Sequence, residues 1–320
     1  MGNSDSAPVK GPYHETPTVT HFYSKEVFLD TPVLVPNGPI GSRYIFHIIK
    51  GTYEGGVDYP DLKGTVHGPG ADWALGHVDG SGVTLDVRLI CKSPSGADCL
   101  VNVVGKSVRD ANDPTSSFVS SAAVFETSEE ETNYLNNKIL IGVGKKLGSK
   151  IVVVYYDLVF GGSGKSPSSL NLKMKNIFST KFMLGGSATL PNGPRGSKIF
   201  YQVIKGAFAG GDECPTFFGK VQGGTYSERT LPDGHEGACL DVSVLFQLEN
   251  GAFIHVTLTG RKSKNEEDPT GKATIRTSAV FEVGDDAKDF KWLNNKIYHG
   301  IGTKEGDVLS IDYYEVTAEE

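Results

Sequence analysis

The stretch LNNKI at residues 135–139 returns unchanged at residues 293–297, a shift of 158. Leu135, Asn136, Asn137, Lys138 and Ile139 are answered by Leu293, Asn294, Asn295, Lys296 and Ile297. A second block, PNGPIGS at 36–42, returns as PNGPRGS at 191–197, a shift of 155. Two separated blocks at nearly one offset mark a tandem duplication, so each half of the 320-residue chain is read against the other.

Further pairs fill the interval. IKGTYEGG at 49–56 answers IKGAFAGG at 204–211, and LDV at 85–87 answers LDV at 240–242. NDPT at 112–115 answers EDPT at 267–270, AAVFE at 122–126 answers SAVFE at 278–282, and VVYYDL at 153–158 answers IDYYEV at 311–316. The offset grows from 155 to 158 along the repeat, so inserted residues fall in loops and the strands keep their length. Length alone gives a prior of about two domains at roughly 150 residues each. The predicted organisation is a flexible N-terminal arm over 1–20, a first repeat over 21–159, a linker over 160–175 and a second repeat over 176–320.

Within each half, short segments of alternating or continuous apolar character are punctuated by glycine-rich turns, as in YIFHIIKGTYEGG at 44–56. Long helical periods between strands are missing, which argues against a doubly wound α/β fold. One short α-helix per half is expected before LNNKI, where Ser128 and Glu131 have capping-box spacing and the paired asparagines suit a left-handed C-terminal cap. The fold class is all-β: two tandem antiparallel calycin-like barrels, closed so that neither leaves a long sheet edge.

Composition narrows the partners. Charged residues make up 22% and the net charge is −7, so no broad basic surface for nucleic acid is expected. No apolar run reaches the roughly 18–20 residues of a membrane span. Residues 1–20 carry no signal-peptide apolar core, and MGNSDS fits the short N-myristoylation pattern at Gly2 and Ser6, which also matches by chance. GKS at 164–166 imitates the end of a phosphate-binding loop, but Val159 stands where the first glycine belongs. The even cysteine count permits one disulfide per half, Cys91 with Cys99 and Cys214 with Cys239, in a secreted protein. The alternative is four thiols in a cytoplasmic one. A homodimer is compatible with the sequence.

The motifs GPIGS, KGTYEGG, GTVHGPGADW at 64–73, LDVR at 85–88, AVFE, YLNNKILIGVG at 134–144 and VYYDL together resemble the small β-barrel family known as domain of unknown function 3237. The resemblance covers nearly all of both halves. It implies a calycin-like barrel with an open mouth and no assigned activity. Tandem copies are similar to fungal hetero-Diels–Alderases that work without cofactors on tropolonic sesquiterpenes.

The candidate catalytic residues are Asp72, His67, Asp86 and Arg88. Asp86 and Arg88 are two apart on a strand and share a face; turned inward they would place a carboxylate beside a guanidinium. The alternative is a structural ion pair. His67 and His77 bracket the GADW turn and are candidate acid–base groups, yet lack a third ligand for a metal. Tyr53, Trp73 and His77 in the first half, and Arg195, Tyr201, Tyr226, Arg229 and His255 in the second, are the candidate substrate contacts. At the offset of 155, Tyr226 and Ser227 fall on Ala71 and Asp72, and Ser243 falls on Arg88, so the two pockets are chemically unequal. No GxSxG or HExxH signature supports hydrolase chemistry. The function expected is a metal-free and cofactor-free cyclase joining a tropolone-derived quinone methide to a humulene-type terpenoid. The alternative is a carrier for a small hydrophobic ligand.

Overall fold

A computed structural model of the chain describes residues 17–78, 80–159, 172–193, 196–230, 237–264 and 273–318. Arg195, the second DPT motif, MGNSDS and most of the arm and linker spans lie outside the described residues.

The first barrel comprises β1 (Thr18–Leu29), β2 (Val33–Gly38), β3 (Gly41–Gly55), β4 (Lys63–Gly76), β5 (Val83–Lys92), β6 (Asp98–Arg109), β7 (Ser116–Glu126), β8 (Ile139–Leu147) and β9 (Lys150–Val159). Every pairing is antiparallel, in the order β1-β9-β8-β7-β6-β5-β4-β3-β2. The ring closes because β1 also pairs with β3, from Tyr23↔Gly55 to Leu29↔Ile48. Strand β2 is left outside the ring as a hairpin on the start of β3, with Leu34 in register with Tyr44.

The second barrel comprises β10 (Leu172–Gly193), β11 (Gly196–Gly210), β12 (Phe218–Thr230), β13 (Ala238–Leu248), β14 (Phe253–Lys264), β15 (Ala273–Val283), β16 (Tyr298–Glu305) and β17 (Val308–Ala318), closed in that order. Here one long strand does the work of β1 and β2 together. The expected all-β pair of antiparallel barrels is therefore what the chain forms. Strand β1 begins inside the span assigned to the arm, and β10 inside the span assigned to the linker.

Strand alternation puts one row of side chains inside each ring. In barrel 1 the inner row includes Tyr23, Val27, Tyr53, Leu89, Val101, Phe125 and Tyr155, with Tyr23 stacked on Tyr155 at 4.6 Å. The matching pair in barrel 2, Phe178 on Tyr313, stacks at 4.3 Å. Glycines on β8 and β16 make room for these rings: a Cβ on Gly142 would lie 2.7 Å from Tyr155, and one on Gly300 2.7 Å from Tyr313.

The expected α-helices are 3₁₀ segments, Glu130–Asn137 and Asp285–Asn295. The capping box is not formed, since Glu129 is the N-cap and makes no side-chain cap bond. Nor do the asparagines adopt the left-handed cap; among the described residues the non-glycine residues with positive φ are Asn37 and Asn192, in the two PNG turns. Instead, the Asn136 amide clamps the end of β7, accepting from the Thr127 N–H (2.9 Å) and donating to the Thr127 carbonyl (2.8 Å). Asn294 does the same to Val283, at 2.8 and 3.0 Å. Lys138, next in the motif, donates to the buried Asp157 carboxylate of VYYDL. The repeated motifs are repeated because they hold each other.

Asn136→Ala and Asn294→Ala each leave a backbone N–H and C=O short of a partner. Each substitution is expected to lower stability by about 1–3 kcal/mol, read as a shifted midpoint in urea denaturation; unchanged midpoints would refute the clamp.

Candidate functional site

Inside barrel 1, a hollow of about 40 Å³ is lined by Lys25, Val27, Asp72, Leu85, Val103 and Tyr155, among others. Two of these are chargeable and almost sealed from solvent: Asp72 is 3% exposed and Lys25 4%. Phe46 and Val87 flank Asp72 in register, so its carboxyl sits among apolar neighbours. Burial pushes its pKa up to about 7. The Asp86 N–H, donating to Oδ1 at 3.2 Å, and the Lys146 charge oppose that rise, while the Asp86 charge adds to it. The result is a carboxyl that carries its proton close to neutral pH.

Lys25 lines the same hollow, its ammonium 4.9 Å from the Tyr155 ring centroid. Among the described residues no carboxylate comes within ion-pair distance of it. Lys146 reaches over Phe46, 5.3 Å from that ring, and burial lowers its pKa while Asp72 opposes the shift.

A second hollow of about 30 Å³ lies in the same barrel and is lined by Tyr23, Tyr53, Cys91, Cys99, Phe125 and Leu135. The Tyr23 hydroxyl is buried and has no hydrogen-bond partner among the described residues. Burial pushes the Cys91 thiol up to about 11 and the Cys99 thiol up to about 12, and holds Tyr53 well above its ordinary value. All four cysteines are free, which corrects the disulfide expectation: Cys91 and Cys99 face each other across β5 and β6 as thiols, and Cys214 and Cys239 are not joined.

The corresponding level of barrel 2 is built differently. Tyr201 takes the place of Phe46, and its register partner on β12 is Tyr226, as Asp72 is that of Phe46. Asp72 therefore corresponds to Tyr226, not to Ser227. Three residues, Gly68 to Gly70, separate His67 from Ala71, but only Gly223 and Gly224 separate Gln222 from Thr225. That one-residue difference at a register break is invisible to a constant offset. Two residues on, Glu228 takes the place of Ala74. Its buried carboxylate accepts from the Tyr226 hydroxyl (2.7 Å), from Lys304 (2.8 Å) and from Lys262. Burial would raise Glu228, but these hydrogen bonds more than offset that and hold it below the usual carboxylate value. Lys304 also stacks over Tyr201 at 4.4 Å. Elsewhere in the ring Thr180 replaces Lys25, Phe208 replaces Tyr53 and Phe246 replaces Cys91.

Of the residues singled out from sequence, Asp72 and Tyr53 line the hollows of barrel 1, and Tyr201 and Tyr226 the interior of barrel 2. Asp86 and Arg88 do not face inward. They form an exposed pair at 3.8 Å on the outer wall, so the inward carboxylate–guanidinium site is not made. His67 is exposed and bonded to Thr65 at 2.7 Å. His77 lies beyond β4, bonded to Ser81 (3.1 Å) and Thr84 (3.0 Å). Trp73 is outward and 46% exposed, so it does not contribute a contact to the barrel interior. Arg229 belongs to the row opposite Tyr226 and Glu228, and His255 lies on the outer wall of barrel 2, bonded to Ser243. Sequence reading missed Lys25 and Lys146 in barrel 1 and Glu228, Lys262 and Lys304 in barrel 2. For Lys25 a signal was present, because a lysine between the inward Tyr23 and Val27 interrupts an apolar row.

The fold and this interior define a class: a tandem pair of eight-stranded barrels in which the first keeps a hollow with ionisable walls. The chain belongs to the family described as protein of unknown function DUF3237, which matches residues 17–158 and again 172–316. No curated protein matches the chain. Among solved structures, a β-barrel-like protein from Acinetobacter baumannii AYE is 23% identical, with a TM-score of 0.41, over 46% of this chain and 99% of its own. A protein of unknown function from Clostridium acetobutylicum is 19% identical, with a TM-score of 0.39, over 44% of this chain and 98% of its own. An enzyme from Penicillium herquei is 23% identical, with a TM-score of 0.32, over 48% of this chain and 99% of its own.

The two carboxyls give opposite pH signatures. The Asp72 pKa is raised on folding, so its favourable contribution is complete below pH 4 and is lost as pH rises to about 7. Asp72→Asn is expected to gain stability relative to the parent between pH 5 and 8, by up to roughly 4 kcal/mol. The Glu228 pKa is lowered, so its contribution is present above the unfolded value of 4.5 and lost in acid. Glu228→Gln strands two lysines and is expected to lose about 3–5 kcal/mol at pH 7. Denaturant titrations of both variants across pH check the signs; parallel curves for the two would contradict this electrostatic account.

Proposed function

We propose that barrel 1 is the catalytic unit of a cyclase that uses a protonated carboxyl in place of a cofactor. The single observation that supports this is Asp72, an inward carboxyl holding a proton near pH 7 beside a hollow. A group with its pKa near the working pH is suited to general acid–base catalysis. In its finest form, the reaction joins a tropolone-derived quinone methide to a humulene-type terpenoid by a hetero-Diels–Alder step.

In this reading Asp72 donates its proton to the hydroxyl of a hydroxymethyl tropolone. The carbon–oxygen bond breaks, water leaves, and the ring hydroxyl returns a proton to the Asp72 carboxylate. The quinone methide so formed then closes on an alkene of the terpenoid, making one carbon–oxygen and one carbon–carbon bond. The Lys146 charge stabilises the Asp72 carboxylate in the interval between giving up its proton and regaining one.

The hollow has room for a water-sized group rather than a terpenoid. Only the hydroxymethyl edge of the ring is placed at Asp72, and the terpenoid lies over the mouth. The exposed Leu34 of the β2 hairpin, in register with Tyr44 and on the same face, supplies an apolar contact there. Much of the acceleration is then orientation of two bound partners.

The purified, metal-stripped protein is expected to speed the cycloaddition and fix its stereochemistry, measured by chiral chromatography of the product. Asp72→Asn should slow the dehydration step by about 10²–10⁴-fold while leaving cycloaddition of a preformed quinone methide far less affected. A product ratio equal to the uncatalysed one would end the cyclase reading. Tight ligand binding without turnover would assign barrel 1 to the carrier role instead.

A further inference from the structure

The outer wall of barrel 2 carries an arrangement that no sequence motif announced. Ser243, His255 and Glu282 stand on the consecutive strands β13, β14 and β15. His255 is in register with Leu245 on one side and with Glu282 on the other. Ser243, two residues from Leu245, shares its face and meets His255 on the diagonal. Ser243 Oγ lies 2.9 Å from His255 Nε2, and His255 Nδ1 lies 3.4 Å from Glu282 Oε2. With the ring in its Nδ1–H tautomer, Glu282 accepts from Nδ1 and Nε2 faces the serine hydroxyl. That is the order of nucleophile, base and orienting carboxylate required for acyl transfer.

A groove of about 260 Å³ opens beside the serine, lined by Gly223, Gly224, Ser243, Leu245 and His255. Pairing of β12 with β11 stops at Gly206↔Val221 and resumes at Val203↔Gly224, which leaves Gly223 outside that ladder. The two glycines have φ of +151° and +154°, so the floor of the groove is backbone without side chains. Barrel 1 has Arg88, Leu100 and Glu126 at the corresponding register positions, so only the carboxylate is shared. The serine–histidine pair belongs to barrel 2 alone.

We propose that this groove is an acyl-transfer site that hydrolyses small aryl esters, acetates of phenols foremost. Ser243 Oγ attacks the ester carbonyl and His255 takes its proton. The oxyanion develops over the side-chain-free backbone of Gly223 and Gly224. The carbonyl-to-aryloxy bond then breaks, and His255 returns the proton to the departing phenolate. Water attacks the acyl-serine by the same relay, releasing acetic acid and restoring the hydroxyl. The leaving group follows from exposure: the Glu282 side chain is 78% exposed, so its support of the imidazolium is screened by solvent. Such a relay suits leaving groups that need the least help, and phenolates qualify. The exposed Leu245 gives the ring an apolar edge.

The test uses the full chain with p-nitrophenyl acetate and, separately, a fluorophosphonate probe read by intact mass and peptide mapping. The expected result is hydrolysis above the buffer rate and one probe adduct, located on Ser243. Ser243→Ala and His255→Gln should lose both. Thr257→Ala, which removes another hydroxyl from the same outer face opposite Ser243, should keep both. Circular dichroism of each variant confirms that the strands persist. Absence of an adduct on the folded parent, or hydrolysis equal in the parent and Ser243→Ala, overturns the proposal.

Discussion

Closure of each sheet on itself is the constraint from which the rest follows. In barrel 1 the β1–β3 ladder, running from Tyr23↔Gly55 to Leu29↔Ile48, turns an open meander into a ring. Once the ring is shut, every second residue must point into a space of fixed width. Apolar side chains can fill it, or something polar can be held there at an electrostatic cost. The repeats keep the ladder, the Tyr23–Tyr155 or Phe178–Tyr313 stack and the asparagine clamp, and differ in what they place inside.

Those differences form two consistent solutions. Barrel 2 neutralises its buried carboxylate, surrounding Glu228 with Tyr226, Lys262 and Lys304. A buried charge with three donors is a structural device, expensive to disturb and chemically quiet. Barrel 1 leaves Asp72 among apolar neighbours with one backbone donor, so the group keeps its proton. Strain of this kind, carried beside a hollow, is where proton transfer has a foothold. The proposed ester site uses the other face of barrel 2, where the wall is rigid and the side chains are free to meet a ligand.

Much of the fold was legible because duplication is visible in sequence: LNNKI and PNGPIGS set the period, and alternation with glycine punctuation set the strands. The site was less legible, for three physical reasons. Facing depends on register, so Asp86 and Arg88 share a face, but nothing local says that it is the outer one. A single residue missing between Val221 and Thr225 moves the counterpart of Asp72 from Ser227 to Tyr226, and a constant offset averages over that. Ser243, His255 and Glu282 lie far apart in the chain and become neighbours only through strand pairing, so no linear motif could display them. The thiols were undecided for a related reason: Cys91 and Cys99 lie opposite each other, which is compatible with a bond and does not require one. The short helices were misread because their polar residues imitate an α-helical cap while the asparagine side chains serve the preceding strand.

The central claim is that the two barrels have divided the same interior between a carboxyl that holds its proton beside a hollow and an ionised, neutralised one. The most direct measurement is a carbon-detected NMR titration of the Asp72 and Glu228 carboxyls in the intact chain, assigned with the single-residue amide variants. The account predicts a midpoint near 7 for Asp72 and one below the ordinary glutamate range for Glu228. Two midpoints that both fall at ordinary carboxylate values would contradict it.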